Sequence, residues 1–223
     1  MTHRLTLRRI EPVTHDVNRL VFDRPDGYDF TPGQATLMRL DRDGWRDEER
    51  PFTFTSLPGE DRLEFIIKSY PSHDGVTARI GALEPGDQVL IGEPWGAIED
   101  RGPGCFIAGG AGITPFIAIL RARAAREGDL GGSMLIFANK AERDIILRQE
   151  WLSLPGLNTI LTVTDEATDA LPNRRVDGDF LDEVVADWTQ PFYVCGPPPM
   201  VEDLTRTLEA RGVTGRQLVT EEA

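Results

Sequence analysis

Apolar residues in the first hundred positions fall in short runs cut by turn signals: Arg24-Pro25-Asp26-Gly27, Thr31-Pro32-Gly33, Leu57-Pro58-Gly59-Glu60 and Glu84-Pro85-Gly86-Asp87. Strands so short and so closely spaced predict an antiparallel barrel or sandwich. They are placed at residues 5–10, 20–22, 35–40, 52–56, 63–68 and 88–91, with one short helix at 77–83. Past Arg101-Gly102-Pro103-Gly104 the pattern changes. Strand-like apolar runs at 105–108, 134–138, 159–164 and 192–195 alternate with helical periodicity at 115–125, 144–152, 180–185 and 200–211. That alternation predicts a parallel α/β sheet covered on both faces. The expected architecture is therefore two domains: an N-terminal antiparallel β-barrel over residues 1–101 and a C-terminal α/β parallel-sheet domain over 102–223.

Length agrees with this division, since 223 residues suffice for two domains of roughly 100 residues each. With 40% hydrophobic and 27% charged residues the composition is that of an ordinary globular protein. The N-terminus reads as a first strand, because charges interrupt its apolar residues before a signal-peptide run can form. Other apolar stretches fall short of the about 20 residues a membrane helix needs. A cytoplasmic location is the default, with no membrane partner. Net charge is −13 and no segment gathers Lys and Arg into a basic face, so nucleic acid is excluded as a partner. Cys105 and Cys195, the two cysteines, sit in no Cys-x-x-Cys pair and near no metal-ligand spacing. No disulfide, iron-sulfur cluster or metal site is expected.

Three segments carry candidate chemistry. The loop Gly109-Gly110-Ala111-Gly112-Ile113-Thr114-Pro115 follows the first α/β strand and opens a helix. Its glycines allow close backbone approach, Thr114 suits a cap and Pro115 a first turn, which leaves the helix N-terminus facing a phosphate. Alone, the loop fits a plain glycine-rich turn equally well. The second segment, Cys195-Gly196-Pro197-Pro198-Pro199-Met200, ends a buried strand at the edge where open α/β sheets bind ligands. The third is Arg50-Pro51-Phe52-Thr53-Phe54-Thr55-Ser56, accompanied by Ile67-Lys68-Ser69-Tyr70 and Gly75-Val76-Thr77. It offers a guanidinium for phosphate, hydroxyls for a heterocycle edge and an aromatic face for stacking. By itself it reads as readily as a strand with one exposed Thr face. His3, His15 and His73 lie near turns or the terminus, are expected to be exposed and are assigned no role.

In this order the three segments resemble the ferredoxin reductase-like family of flavoproteins, over essentially the whole chain. The family motif Arg-x-Tyr-(Ser/Thr)-x-x-Ser is matched by Arg50, Phe52, Thr53 and Ser56. Its Gly-Gly-x-Gly-x-Thr-Pro loop is matched by residues 109–115, and its Cys-Gly-Pro-Pro-x-Met segment by residues 195–200. The resemblance implies bound FAD, with Arg50 on the pyrophosphate, Phe52 against the isoalloxazine and Thr53 near its reactive nitrogen. Pro51, Ser56, Ile67, Lys68 and Tyr70 complete that site, and Gly75, Val76 and Thr77 line the phosphates. Phe52 stands where the family usually has Tyr, which keeps the stacking face and loses a hydroxyl.

The same resemblance gives Gly110, Gly112, Thr114, Pro115, Gly196, Pro197 and Met200 to a nicotinamide dinucleotide, with Cys195 touching the nicotinamide. Glu221 occupies the place of a carboxylate that plant-type members use near the site. Thr53, Cys195 and Glu221 are accordingly the expected catalytic residues. Plant-type members end in an aromatic that covers the flavin, so Ala223 implies an open flavin face. Asp165, after the strand at 159–164, favours NADH by accepting hydrogen bonds from a ribose and repelling a 2′-phosphate. Lys140, Arg143, Arg174 and Arg175 leave NADPH as the alternative. The implied activity is hydride transfer from NAD(P)H to FAD and electron delivery to a separate acceptor: a ferredoxin, flavodoxin, haem protein, oxygenase component or small molecule. Two rival readings are a free-flavin reductase and a non-catalytic electron-transfer subunit of a larger complex.

Overall fold

The computed structural model of the chain describes residues 1–70, 75–96 and 98–221. His73 and Ala223 lie outside the described residues, so the expectations placed on them end here.

The N-terminal half is a nearly closed antiparallel barrel. Strand β1 (His3–Pro12) serves two neighbours: its first half pairs with β6 (Gln88–Ile91) and its second with β2 (Val17–Asp23). The β1–β2 ladder is irregular between Leu7 and Arg9, and such a bulge bends a strand so that one sheet can curl. Beyond β2 lies β5 (Arg62–Lys68); beyond β6 lies β3 (Gln34–Leu40), which also pairs with β4 (Arg50–Thr53) and β7 (Trp95–Gly96). Leu5, Leu7, Leu20, Phe22, Phe65 and Val89 point inward and are wholly buried. Phe54 completes that core, stacked on Phe30 at 4.3 Å and tilted against Phe65 at 5.1 Å.

Strand 52–56 was expected, but β4 begins at Arg50 and stops at Thr53. After Phe54, whose amide reaches the Gln34 carbonyl at 3.1 Å, the chain leaves β3 and crosses to β5. There the Thr55 amide donates to the Glu64 carbonyl at 2.8 Å, and the Ser56 hydroxyl accepts from the Glu64 amide at 3.0 Å. The segment from Thr53 to Ser56 is thus the seam that closes the barrel. Helix α1 (Val76–Gly81) lies close to the expected position, with Val76 and Ile80 in the barrel core.

In the C-terminal half a five-stranded, wholly parallel sheet runs in the order β10 (Asn158–Val163), β9 (Met134–Asn139), β8 (Cys105–Gly109), β11 (Phe192–Cys195) and β12 (Leu218–Thr220). Every residue of β8 is buried, as its uninterrupted apolar run requires of a strand covered on both faces. Helices α2 (Thr114–Glu127) and α3 (Arg148–Ser153) pack on the face that meets the barrel. The opposite face carries α4 (Gly178–Val184) and α5 (Pro198–Ala210). The chain proceeds outward from β8 through β9 to β10, then returns to the other side of β8 as β11. Such a reversal opens a crevice at the carboxyl ends of the strands on either side of it.

One helix departs from expectation. A helix was predicted over 144–152, whereas the structure has a single 3-10 turn at Glu142–Asp144 and no α-helix before Arg148. Ile145 and Ile146 are adjacent, β-branched and both buried between the two halves. Adjacent residues of a helix do not share a face, so the chain extends through Ile145 and resets at Leu147, which takes a left-handed φ of 54°. Strands β7 and β12 were not predicted.

Candidate functional site

A cleft of about 1090 Å³ lies between the barrel and the carboxyl ends of the parallel strands. Pro51, Phe52, Thr53, Ile67, Lys68, Tyr70 and Thr77 line it from the barrel side. From the other side come Gly110, Gly112, Thr114, Pro115, Asp165, Cys195, Gly196, Pro197, Met200 and Glu221. Four expected residues are not in the lining. Arg50 is exposed beside it, donating to the Glu49 carbonyl at 2.7 Å and standing 3.6 Å from the Glu48 carboxylate. Gly75 caps the start of α1, and Val76 turns into the barrel core. Ser56 is buried in the seam, its oxygen already engaged by the Glu64 amide.

The glycine loop forms a 3-10 turn, Gly110–Ile113, that leads directly into α2. Here the cap expectation is corrected: Thr114 is the first residue of α2, not its cap, and its hydroxyl donates back to the Ala111 carbonyl at 3.0 Å. Among the described residues no side chain caps the first amides of α2, and no acid lies in its first turn. A 14-residue helix whose N-terminal amides are free of both is suited to an anion. Pro115 takes its expected place in the first turn. Gly112 is fixed by a close approach, since a Cβ there would stand 2.4 Å from the Cys195 carbonyl oxygen and 2.6 Å from Gly196 Cα. Gly110 adopts φ +52° with open space around it, leaving room on the cleft side of the loop.

Cys195 ends β11 and is 5% exposed. Its Sγ lies 3.6 Å from Glu221 Oε2, just past β12. Burial first, and the Glu221 carboxylate second, push the thiol well above its ordinary range. It therefore enters the site as a neutral thiol. Lys68 is 2.9 Å from Asp16; burial raises the Asp16 carboxyl, but Lys68, Thr14 and His15 outweigh it and hold the group below its usual value.

At the far end of the cleft, Asp165 accepts from the Thr164 hydroxyl at 2.8 Å, and its amide donates to the Lys140 carbonyl at 2.9 Å. Glu166 turns away to accept from the Glu142 amide at 2.7 Å. Arg174 is held by both oxygens of Glu183, whereas Lys140 and Arg175 line the cleft. Sequence reasoning missed Asn139. It ends β9, lines the cleft, is 5% exposed and has no hydrogen-bond partner among the described residues for either Oδ1 or Nδ2. Its place at the carboxyl end of a central strand is the signal that marks it.

The histidines fall away from this chemistry. His3 is half-buried rather than exposed, edge-on to Tyr28 at 4.9 Å and 3.2 Å from Glu93. His15, Asp16 and Asp144 each bring a possible ligand atom within 4.8 Å of the others. Asp16 there is paired with Lys68, and Asp144 accepts from the Ala141 amide at 3.0 Å. Cys105 and Cys195 are free and buried. No helix among the described residues is long and apolar enough to cross a membrane.

A barrel and a parallel sheet share this cleft, and comparison with known proteins finds relatives with both halves. Residues 106–206 match the family model of the oxidoreductase NAD-binding domain. The chain is 31% identical to NADH-cytochrome b5 reductase 2 of Mycosarcoma maydis, over 94% of this chain and 66% of that protein. It is 30% identical to the reductase component of propane 2-monooxygenase of Rhodococcus jostii (strain RHA1), over 96% of this chain and 62% of that protein. It thus spans a little under two thirds of these relatives' length. The flavohem-like FAD/NAD binding domain of nitric oxide dioxygenase from Vibrio cholerae superposes with a TM-score of 0.85 at 22% identity, covering 98% of this chain and 97% of that one. The C-terminal half thus carries the match to an oxidoreductase NAD-binding domain, and the whole chain is similar in sequence to these reductases and in fold to the FAD/NAD binding domain.

Proposed function

We propose that the protein is a cytoplasmic flavin-dependent reductase that accepts a hydride from NADH onto bound FAD and delivers electrons to a separate acceptor of the ferredoxin, flavodoxin, haem-protein or oxygenase-component type. The observation that carries this is the single cleft, which brings Pro51 to Thr53, Gly110 to Pro115 and Cys195 to Met200 together from distant parts of the chain. The relatives support it: one is named an NADH-cytochrome b5 reductase and another the reductase component of a monooxygenase. In this reading residues 1–101 form the flavin domain and 102–223 the nicotinamide domain.

When bound, the flavin supplies the two-electron to one-electron conversion, and the chain supplies orientation and exclusion of water. Phe52 has one side on the barrel core and the other in the cleft, a fixed face for stacking. Thr53, 8% exposed, presents a hydroxyl at a set position on β4. Arg50, Gly75 and Thr77 hold the flavin phosphates, and the free amides of α2 receive the dinucleotide pyrophosphate. Cys195 and Glu221 border the nicotinamide, and Asn139 gives its unpaired carboxamide to the dinucleotide. The test is purification of the chain followed by mass analysis of released cofactor and NADH-dependent dye reduction. FAD and turnover support the reading. FMN alone, flavin lost on gel filtration or absence of turnover overturns it.

A further inference from the structure

Helix α2 bears the glycine loop at its N-terminus and Arg121 two turns further on. Arg121 reaches out of the α/β half into the barrel. Its Nη1 donates to the Thr55 carbonyl at 3.0 Å and to Glu64 Oε1 at 3.0 Å. Its Nε and Nη2 grip the two oxygens of Glu150 on α3 at 2.7 and 2.9 Å. The Thr55 hydroxyl donates to the same Glu64 oxygen at 2.9 Å, so the seam and the guanidinium form one network. Burial works against the charge, but Glu150 and Glu64 prevail and raise the group above its ordinary value.

We propose that Arg121 is a positioning residue for hydride transfer, fixing the helix that carries the dinucleotide loop to the barrel seam that carries the flavin contacts. This rests on the function proposed above. Thr55 lies two residues past Thr53, so whatever holds the Thr55 carbonyl sets where Thr53 stands against the loop. Val17, Ile66 and Ile98 also share an apolar cluster with Phe116 and Ile119 across this boundary, while the polar pairs His15–Asp144 and Asp100–Arg123, at 3.5 Å each, and Arg101 to the Arg216 carbonyl do not touch the Thr53–Ser56 seam. Apolar contacts are non-directional and tolerate sliding. A planar guanidinium is not so tolerant: its donors diverge in a fixed fork, and here they meet acceptors on the seam, on β5 and on α3. Hydride transfer needs near-contact of the reacting atoms, and a displacement of about 1 Å costs on the order of a hundredfold in rate.

Arg121→Lys keeps the charge and loses the fork, whereas Arg121→Met keeps most of the stem and loses the charge. Each holoprotein is assayed for flavin content, NADH dissociation constant, melting temperature and single-turnover flavin reduction. Reduction is expected to slow by about tenfold or more in both, counted per bound flavin, with flavin content and NADH affinity within about twofold of wild type. A merely structural role would lower melting temperature and flavin content together and leave the rate per bound flavin unchanged, which overturns the proposal. Should the Met variant not fold, the Lys variant and Glu150→Gln decide by the same criterion. Should wild type itself carry no flavin, the functional reading fails first, and the clamp is decided by amide exchange in residues 53–57. Faster exchange in Arg121→Lys upholds the clamp and unchanged exchange overturns it.

Discussion

Cys195 Sγ and Glu221 Oε2 are 3.6 Å apart because their strands are parallel neighbours in register. Val194 sits opposite Thr220, so the next step of the ladder sets the thiol beside the carboxylate at the mouth of the cleft. The carboxylate disfavours a second negative charge and burial disfavours any. A group whose folded pKa is raised keeps its full stability contribution below the unfolded value and loses it as pH climbs, so at neutral pH the thiol is protonated without cost. Alkylation of Cys195 should be slow at neutral pH, and Glu221→Gln should shift its onset to lower pH. Mass spectrometry of iodoacetamide-treated protein across pH checks this, with buried Cys105, pushed up to about 12, as the internal control. Cys195→Ala should retain flavin and slow its reduction by NADH; an unchanged single-turnover rate would remove the residue from the site.

Arg50 and Ser56 belong to one motif but should fail differently. Arg50 is exposed and makes no contact that the barrel depends on. Arg50→Ala should leave apoprotein stability unchanged and weaken flavin binding by about 1.5–3 kcal/mol, the usual loss for a charged hydrogen bond. Ser56→Ala leaves the Glu64 amide unpaired in the seam, a cost of about 1–3 kcal/mol to folding. Thermal melts of the apoproteins and flavin titrations separate the two, and full flavin retention in Arg50→Ala would show the phosphate site to be elsewhere.

The two-domain division was legible because period-2 runs with turn residues and buried strands with intervening helices are distinct patterns over a hundred residues each. That the three segments would meet at one cleft was legible because glycine and proline at fixed offsets restrict the backbone locally. The break between Asp144 and Arg148 was not, since Ile145 and Ile146 read as helical until the barrel face that buries both is known. Ser56 was legible as a motif member and illegible as a seam residue, because its partner on β5 is a tertiary neighbour. Asn139 carries no local signal; only the strand order puts it at the cleft.

Asn139 provides a third test. Its carboxamide offers both a donor and an acceptor with nothing among the described residues to meet them, and a buried polar group left unpaired costs about 1–3 kcal/mol. Asn139→Leu should therefore leave the apoprotein as stable as wild type or more so, while raising the NADH dissociation constant by about tenfold. Calorimetric titration of the flavin-loaded variant measures this. An unchanged constant would mean that the carboxamide faces solvent in the complex.

The choice between NADH and NADPH turns on Asp165. Its carboxylate lies in the cleft just past β10, held by the Thr164 hydroxyl. There it can accept from a ribose hydroxyl and repel a phosphate on the same carbon. Lys140 and Arg175 line the same cleft and pull the other way, but Arg174 is committed to Glu183. A phosphate between Lys140 and Arg175 would also approach Asp165, and like charges at contact in a partly enclosed site offset what two exposed cations return. NADH should therefore have the higher kcat/KM. Asp165→Ser should improve NADPH by about tenfold or more, with the two cations then unopposed, and lower NADH modestly through loss of the ribose contact. Adding Arg175→Ala to that variant should reverse the NADPH gain. Steady-state kinetics with both dinucleotides on all three proteins is the measurement, and a wild-type preference for NADPH would overturn the role given to Asp165.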